Sequence, residues 1–195
     1  WAGPNKETFT LRFNLQRPPA EPQHLIVGFV NTHPTPSRLT VTLNGMSKAY
    51  AMTGWRLGYL GAPAPLCEQI LKVQQHVVTC APSFVQAAGV AALQGPQGCV
   101  DEMTAEYDRR RRFMADALNA IPGVHCPLPE GAFYLFPEVA FQGLDSNALA
   151  KFMIEKAHVA VTPGSAFNTP GWERISYATG MDQLRKAVER LRKVV

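Results

Sequence analysis

The sequence predicts an α/β fold in which short strands alternate with amphipathic helices. Of the 195 residues, 46% are hydrophobic and 17% are charged, which is the composition of an ordinary globular chain. Short runs of β-branched and apolar residues alternate with stretches in which apolar residues recur every three or four positions. Strands interleaved with helices indicate layers of helix packed on sheet.

Residues 1–38 give the weakest pattern and form a segment that we leave unassigned. They contain six prolines, and only residues 25–30 (LIVGFV) have the apolar character of a short buried strand. The character changes at residue 39, where LTVTL over residues 39–43 predicts a strand that ends at the turn signal Asn44-Gly45.

The chain after this turn predicts alternating helices and strands. Apolar spacing and helix-breaking Pro and Gly residues predict five helices, with Ser146 as the N-cap of the fourth. The first predicted helix starts at residue 63, and the other four span residues 84–93, 101–121, 147–156 and 181–195. The predicted strands after the turn span residues 124–126, 131–137, 159–162 and 174–178.

Charge and cysteine usage exclude several classes of function. The net charge of +4 is too small to indicate a nucleic-acid partner, and the basic run from Arg109 to Arg112 falls in a helical pattern, where a solvated face is expected. The four cysteines have no metal-ligand spacing, so we predict no metal site and expect free thiols in a reducing cytoplasm. No apolar run reaches the roughly 18 residues that a membrane span needs, so we expect no membrane association.

The residues that carry chemistry follow the strand at 39–43. A lysine just after a strand, here Lys48, can lie in a pocket at the strand's end, where desolvation favours attack on an aldehyde and formation of a Schiff base. The Ser47 hydroxyl and the Arg56 guanidinium are suited to a phosphate dianion. Glycines at 45, 54 and 58 would let the backbone approach that phosphate. An aldehyde and a phosphate on one ligand describe pyridoxal phosphate.

Residues 43–59 (LNGMSKAYAMTGWRLGY) closely resemble the cofactor-lysine signature of class I/II pyridoxal-phosphate-dependent aminotransferases, the aspartate-aminotransferase-like enzymes of fold type I. The resemblance implies that Lys48 binds pyridoxal 5'-phosphate covalently and acts in catalysis, and that Ser47 and Arg56 bind the cofactor phosphate. It continues over PEGAFY at 129–134, VAVTPGSAF at 159–167 and ERISYA at 173–178. By this resemblance Arg174 binds the substrate α-carboxylate, for which a bidentate guanidinium is well suited.

The resemblance covers about residues 39–195 and implies a domain organisation. Residues 39–100 would be part of the large cofactor-binding domain, with a mixed, mostly parallel sheet and helices, and residues 101–195 would be an interdomain helix and the small α+β C-terminal domain. Residues 1–38 show no match to the family. The implied function is transfer of an amino group from an amino acid to a 2-oxo acid, of aspartate-type or broad specificity, in a cytoplasmic homodimer.

The sequence departs from the family pattern upstream of Lys48. The family supplies there an Asp for the pyridinium nitrogen and a Tyr for the ring oxygen, whereas the only acidic residues before Lys48 are Glu7 and Glu21, and no Tyr is present. We therefore expect a truncated form that alone is a poor transaminase and tends to self-associate. Carbon–sulfur β-elimination on the same scaffold, a non-catalytic effector-binding module and an inert remnant are the alternatives.

Overall fold

The computed structural model describes residues 41–195, which form two compact units, residues 41–101 and Glu102–Val195. The strand predicted at 25–30, the residues Glu7 and Glu21, and the start of the strand at 39–43 lie outside the described residues. Helices and short strands alternate in both units, which confirms the α/β class.

The first unit consists of a strand pair followed by helices. Strand β1 pairs with β2 in antiparallel register, with Thr42 opposite Gly61 and Gly45 opposite Gly58. Helix α3 approaches the connection between these strands closely, because a Cβ at Gly89 would lie 2.5 Å from Cδ2 of Leu57. The elements are β1 (Thr42–Gly45), α1 (Met46–Ala49), a 3₁₀ turn (Thr53–Trp55), β2 (Gly58–Gly61), α2 (Ala64–Val77) and α3 (Ser83–Gln94).

The prediction of a mostly parallel sheet does not hold for the described residues. Every strand pair within residues 41–195 is antiparallel. The connection from β1 to β2 spans residues 46–57 and closes on itself through the hydrogen bond from the Met46 N–H to the Leu57 carbonyl, so β2 returns beside β1 in antiparallel direction.

The second unit contains a three-stranded antiparallel sheet, in the order β4-β7-β6, and a separate β3-β5 pair. Helix α4 begins in the first unit and continues into the second. The elements are α4 (Gly98–Asn119), β3 (Val124–His125), β4 (Tyr134–Leu135), β5 (Glu138–Val139), α5 (Ser146–Phe152), a π-helical turn (Met153–Ala157), β6 (Thr162–Pro163), a 3₁₀ turn (Gly164–Phe167), β7 (Glu173–Ser176) and α6 (Met181–Val194).

One hydrophobic core joins the helices and strands of this unit. The apolar stripe predicted along α4 is buried in its second half, at Met114 and Leu118. The predicted apolar face of α6 is buried as expected, and strand β7 contributes alternate residues to the same core. The most buried members are Met114, Leu118, Leu135, Leu149, Met153, Tyr177, Leu184 and Leu191.

The fourth predicted helix starts with a different cap. The side chain of Asp145, not Ser146, accepts a hydrogen bond from the Ala148 N–H at 2.8 Å. Ser146 is buried, and its hydroxyl donates to the Trp172 carbonyl at 3.2 Å and accepts from the Gly171 N–H at 2.9 Å. Both residue types are good N-caps, and the tertiary contact to the 171–172 turn decides between them.

The basic run of α4 is only partly a solvated face. Arg109 and Arg112 are exposed and pair with Glu106 and Asp108 on the same helix. The side chains of Arg110 and Arg111 are instead mostly buried, at 19% and 16% exposure, and Arg111 also donates to the Pro129 carbonyl. The prediction therefore holds for the two outer arginines and fails for the two inner ones, of which Arg111 has a tertiary role.

The four cysteines are free thiols, of which Cys126 is buried and Cys80 and Cys99 are exposed. Burial raises the pKa of the Cys126 thiol to about 11. Within residues 41–195, no helix combines the length and apolar character needed to cross a membrane.

Candidate functional site

Lys48 lies in a closed loop of residues 46–57, the lysine loop, which joins β1 to β2. The Met46 N–H donates to the Leu57 carbonyl at 3.1 Å and closes the neck of the loop. The Met46 carbonyl accepts from the N–H groups of Tyr50 and Met52, at 3.3 and 3.4 Å. Because Met46 is only 1% exposed, its side chain anchors the loop and fixes the position of the next two residues, Ser47 and Lys48.

Two non-glycine residues of the lysine loop have left-handed backbone conformations. Ala51 and Arg56 both have φ of 53°. Such conformations cost on the order of 1 kcal/mol each and persist only where the surrounding structure enforces them. The loop therefore has a specific conformation. Arg56 has a strained backbone and directly precedes Leu57, whose carbonyl closes the loop.

Ser47 and Arg56 flank the bonded pair Met46–Leu57 and so lie at the same end of the lysine loop. Nη1 of Arg56 donates to the Thr53 carbonyl at 3.1 Å, which leaves its other N–H groups for a ligand. No carboxylate among residues 41–195 pairs with Arg56. A hydroxyl and an unneutralised guanidinium at one loop end are a donor set that fits a phosphate.

Lys48 is exposed within the first unit. The predicted pocket that desolvates this lysine is not formed by residues 41–101 alone. The lysine lies on the four-residue helix α1.

The glycines of the motif differ in how closely other atoms approach them. A Cβ at Gly58 would lie 3.0 Å from the Asn44 carbonyl oxygen, so this glycine permits close pairing of β1 with β2. A Cβ at Gly54 would meet no atom within 4 Å among the described residues, and one at Gly45 would meet only the Leu57 carbonyl oxygen, at 3.9 Å. The pairing of β1 with β2 therefore requires glycine at position 58. The space next to position 54 is open among the described residues.

In the second unit, Arg174 lies between two aromatic rings. Its guanidinium carbon is 4.5 Å from the centre of the Tyr134 ring and 4.7 Å from that of Phe167. Nη2 donates to Oγ1 of Thr162, which is the cross-strand partner of Arg174, at 3.3 Å. No carboxylate among residues 41–195 pairs with Arg174. The two rings hold the guanidinium by cation–π contacts, and within residues 41–195 its hydrogen bond to Thr162 leaves further N–H groups that can bind a carboxylate.

The structure adds three residues that sequence reasoning did not identify individually. Tyr134, Thr162 and Phe167 lie in segments that the family resemblance covers, but their contact with Arg174 depends on the strand order β4-β7-β6. The alternation of strand residues could have indicated Tyr134, whereas Phe167 lies in a 3₁₀ turn with no such signal.

A buried carboxylic acid, Glu173, precedes Arg174 on β7. Its side chain is fully buried, and neither carboxyl oxygen has a hydrogen-bond partner within the described residues. Burial raises the pKa of Glu173 to about 7, and the nearby Ser146 hydroxyl offsets only part of this rise. Since neighbouring strand residues point to opposite faces, Glu173 faces the core and Arg174 the candidate site.

These features agree with comparisons to known proteins. The family model for aminotransferase class I and II matches residues 13–191. This chain belongs to the class I and II aminotransferase family. The match also extends into residues 1–38, so the family resemblance is longer than the sequence motifs indicated.

Relatives with solved structures and curated names agree with this assignment. The chain is 42% identical to an aspartate/prephenate aminotransferase of Nitrosomonas europaea over 176 residues, which are 85% of this chain and 44% of that protein. A crystal structure of an aspartate aminotransferase from Rhizobium meliloti superimposes with a TM-score of 0.75 at 43% identity and covers 79% of this chain. An aromatic aminotransferase from Pyrococcus horikoshii gives the same TM-score at 44% identity and also covers 79% of this chain.

The chain spans less than half the length of the relatives it matches, namely 41% of the Rhizobium enzyme and 42% of the Pyrococcus enzyme. Members of this family use pyridoxal phosphate, and the donor set of the lysine loop fits that cofactor.

Proposed function

We propose that this chain carries the cofactor lysine and the carboxylate-binding arginine of an enzyme that transfers an amino group from an amino acid to a 2-oxo acid. The observation that carries the proposal is the lysine loop, where Ser47, Lys48 and Arg56 of the family signature lie on one closed loop and no carboxylate of residues 41–195 pairs with Arg56. The ring-stacked guanidinium of Arg174 supports it independently.

The proposed roles follow from the donor chemistry of each side chain. Nζ of Lys48 is the point of covalent attachment of pyridoxal 5'-phosphate, which when bound supplies an electron-accepting ring for chemistry at the substrate Cα. The Ser47 hydroxyl and the free N–H groups of Arg56 hold the phosphate. Arg174 binds the α-carboxylate of the amino acid through its in-plane N–H groups and so fixes the orientation of the Cα–H bond.

With the cofactor bound, the uncharged Nζ of Lys48 would act as a base that takes the proton from the substrate Cα and then as an acid that gives this proton back. The proton transfer requires the Cα–H bond to point toward Nζ. A carboxylate held by two hydrogen bonds restricts rotation of the substrate, and the stacked rings of Tyr134 and Phe167 restrict Arg174 itself.

The substrate class, domain assignment and cellular setting are part of the same proposal. Relatives named for aspartate, prephenate and aromatic substrates support an aspartate-type or broad specificity. We assign residues 41–101 to the large cofactor-binding domain and 102–195 to the small domain, in keeping with the two compact units. Free thiols support a cytoplasmic protein, and the exposed apolar residues Val77 and Phe84 support a homodimer.

Borohydride reduction of the protein after incubation with pyridoxal phosphate tests the lysine assignment. Peptide mapping should place the phosphopyridoxyl group on Lys48, and Lys48→Ala should abolish the adduct. Lys72→Ala is the matched control, because Lys72 is an exposed lysine of the same unit that bonds only to Gln69 on its own helix. An adduct on another lysine, or no adduct at all, would contradict the proposal.

A further inference from the structure

Residues 129–133, the substrate-facing loop, lead directly into Tyr134, the residue whose ring covers Arg174. The loop has little support of its own. Glu130, Gly131 and Ala132 are exposed, and a Cβ at Gly131 would meet no atom within 4 Å among the described residues. Strand β4, which follows, has only two residues, so its short pairing with β7 cannot by itself fix the approach of the chain.

Two side chains from outside the loop hold it at its ends. The Tyr177 hydroxyl donates to the Ala132 carbonyl at 2.8 Å, and the Tyr177 N–H donates to the Phe133 carbonyl at 3.0 Å. At the other end, Nη1 of Arg111 donates to the Pro129 carbonyl. Asp108 pairs with Arg111 and keeps its guanidinium in place.

The Tyr177 contact holds a strained residue. Ala132 has φ of 62°, a left-handed conformation that a residue with a Cβ adopts at a cost of about 1 kcal/mol. Tyr177 is only 1% exposed, so no water competes for its hydroxyl, and the bond to Ala132 is correspondingly strong. Release of this bond would let Ala132 relax, and the next two residues, Phe133 and Tyr134, would move with it.

We propose that Tyr177 and Arg111 are positioning residues for amino-acid binding, because they hold the substrate-facing loop in the conformation that places Tyr134 on Arg174. The step from loop geometry to amino-acid affinity rests on the proposed function of Arg174. Neither residue touches the substrate in this account. Each acts through a backbone carbonyl of the loop and thus through the ring of Tyr134.

The chain offers a matched control for each positioning residue. Tyr107 belongs to the same aromatic cluster, with its ring centre 6.1 Å from those of Phe133 and Tyr177, but its hydroxyl makes no hydrogen bond within residues 41–195. Arg112 pairs with the same Asp108 as Arg111 does but contacts no part of the loop. Tyr107→Phe and Arg112→Gln therefore repeat the chemical changes of Tyr177→Phe and Arg111→Gln without releasing the loop.

The first measurement is the NMR signal of the Arg174 Nε–H group, assigned by its loss in Arg174→Lys. Ring currents of Tyr134 shift this signal, and Tyr134→Ala gives its position without the ring. Tyr177→Phe and Arg111→Gln should both move the signal toward the Tyr134→Ala position, while Tyr107→Phe and Arg112→Gln should leave it in place. A signal that stays at its parental position in both test variants would overturn the proposal, even if they unfold more easily.

The second measurement is binding of L-aspartate to the cofactor-loaded protein by calorimetry. Tyr177→Phe and Arg111→Gln should each raise Kd about tenfold, whereas the two controls should change it less than about twofold. Test variants that bind aspartate as tightly as the parent would overturn the link to affinity. A parent protein that binds no aspartate would refute the proposed role of Arg174, and the NMR measurement would then still decide whether these residues set the geometry of Arg174.

Discussion

The two units of the described chain differ in how completely they bury their apolar residues. Residues 102–195 enclose a continuous core in which Leu118, Leu135 and Leu184 are at most 2% exposed. Helices α2 and α3 of the first unit instead expose large apolar side chains, with Val77 and Phe84 both at 70%. Exposed apolar surface of this extent marks a face that another surface covers in the working protein. Arg174, the proposed carboxylate-binding residue, therefore lies in a unit that encloses its own core, and Lys48, the proposed cofactor lysine, lies in one that exposes large apolar side chains.

The largest expected effect tests this difference in packing. Leu118→Ala in the second unit should lower the free energy of unfolding by about 3 kcal/mol, because it removes a fully buried side chain and leaves a cavity. Leu71→Ala is the matched change in the first unit, where the side chain is 54% exposed, and it should cost less than about 0.5 kcal/mol. Urea unfolding of both variants gives the comparison. Equal losses would show that the first unit buries Leu71 against another part of the protein.

Substitution of Arg174 tests whether binding of the amino acid depends on the second unit while attachment of the cofactor depends on the first. Arg174→Lys should weaken binding of L-aspartate by about 2–3 kcal/mol, because a point charge replaces a planar guanidinium that can form two bonds to one carboxylate. Attachment of the cofactor at Lys48 should be unchanged. Calorimetry with aspartate and borohydride labelling of the same preparation measure the two effects, and unchanged aspartate affinity would reduce Arg174 to a structural role.

The buried carboxyl of Glu173 makes the stability of the second unit depend on pH. Burial raises the pKa of Glu173 from 4.5 to about 7, so between these values the folded state binds more protons than the unfolded state. The free energy of unfolding should therefore fall as pH rises from about 4.5 to 7, by about 3 kcal/mol in total, and change little from this group above pH 7.

Glu173→Gln keeps the shape of the side chain and removes its ionisation, so it should flatten this part of the pH profile. Glu189→Gln is a control on the exposed face of α6, and it should leave the profile as in the parent. Chemical unfolding at pH 5, 6, 7 and 8 decides the matter. A slope that persists in Glu173→Gln would assign the pH dependence to another group.

Much of the second unit could be predicted from the sequence because its core is built from local helical patterns. The apolar face of α6 at Leu184, Val188 and Leu191 is buried as its spacing indicates. The same kind of spacing on α2 predicted the helix but not its exposure, since Val73 is 64% exposed. Periodicity shows which residues share a face, whereas only a tertiary partner determines whether that face is covered.

The residues of the candidate site could also be predicted only in part from the sequence. Lys48, Ser47 and Arg56 could be found together because they are close in the sequence and lie on one loop. The rings around Arg174 come from β4 and from a turn after β6, so their contact depends on strand order, which the short two-residue strands do not reveal. Nothing local to Glu173 indicates that its carboxyl is buried without a hydrogen-bond partner among the described residues.

The smallest expected effect concerns how the helices of the two units begin. In the second unit, α5 has a side-chain cap from Asp145, whereas α2 and α3 of the first unit follow Pro63 and Pro82 and have none. Asp145→Ala should lower the free energy of unfolding by about 1 kcal/mol, because the Ala148 N–H loses its acceptor.

Asp182→Ala is the matched control for this change, because Asp182 lies in the first turn of α6 without capping it and interacts only with the helix dipole. That substitution should cost about 0.3 kcal/mol, and added salt should reduce its effect. Asp145→Asn should keep most of the stability, since an amide oxygen also accepts the Ala148 N–H. Urea unfolding of the three variants measures the loss in free energy of unfolding that each substitution causes. If Asp145→Ala costs no more than Asp182→Ala, the buried hydroxyl of Ser146 and not the cap fixes the start of α5.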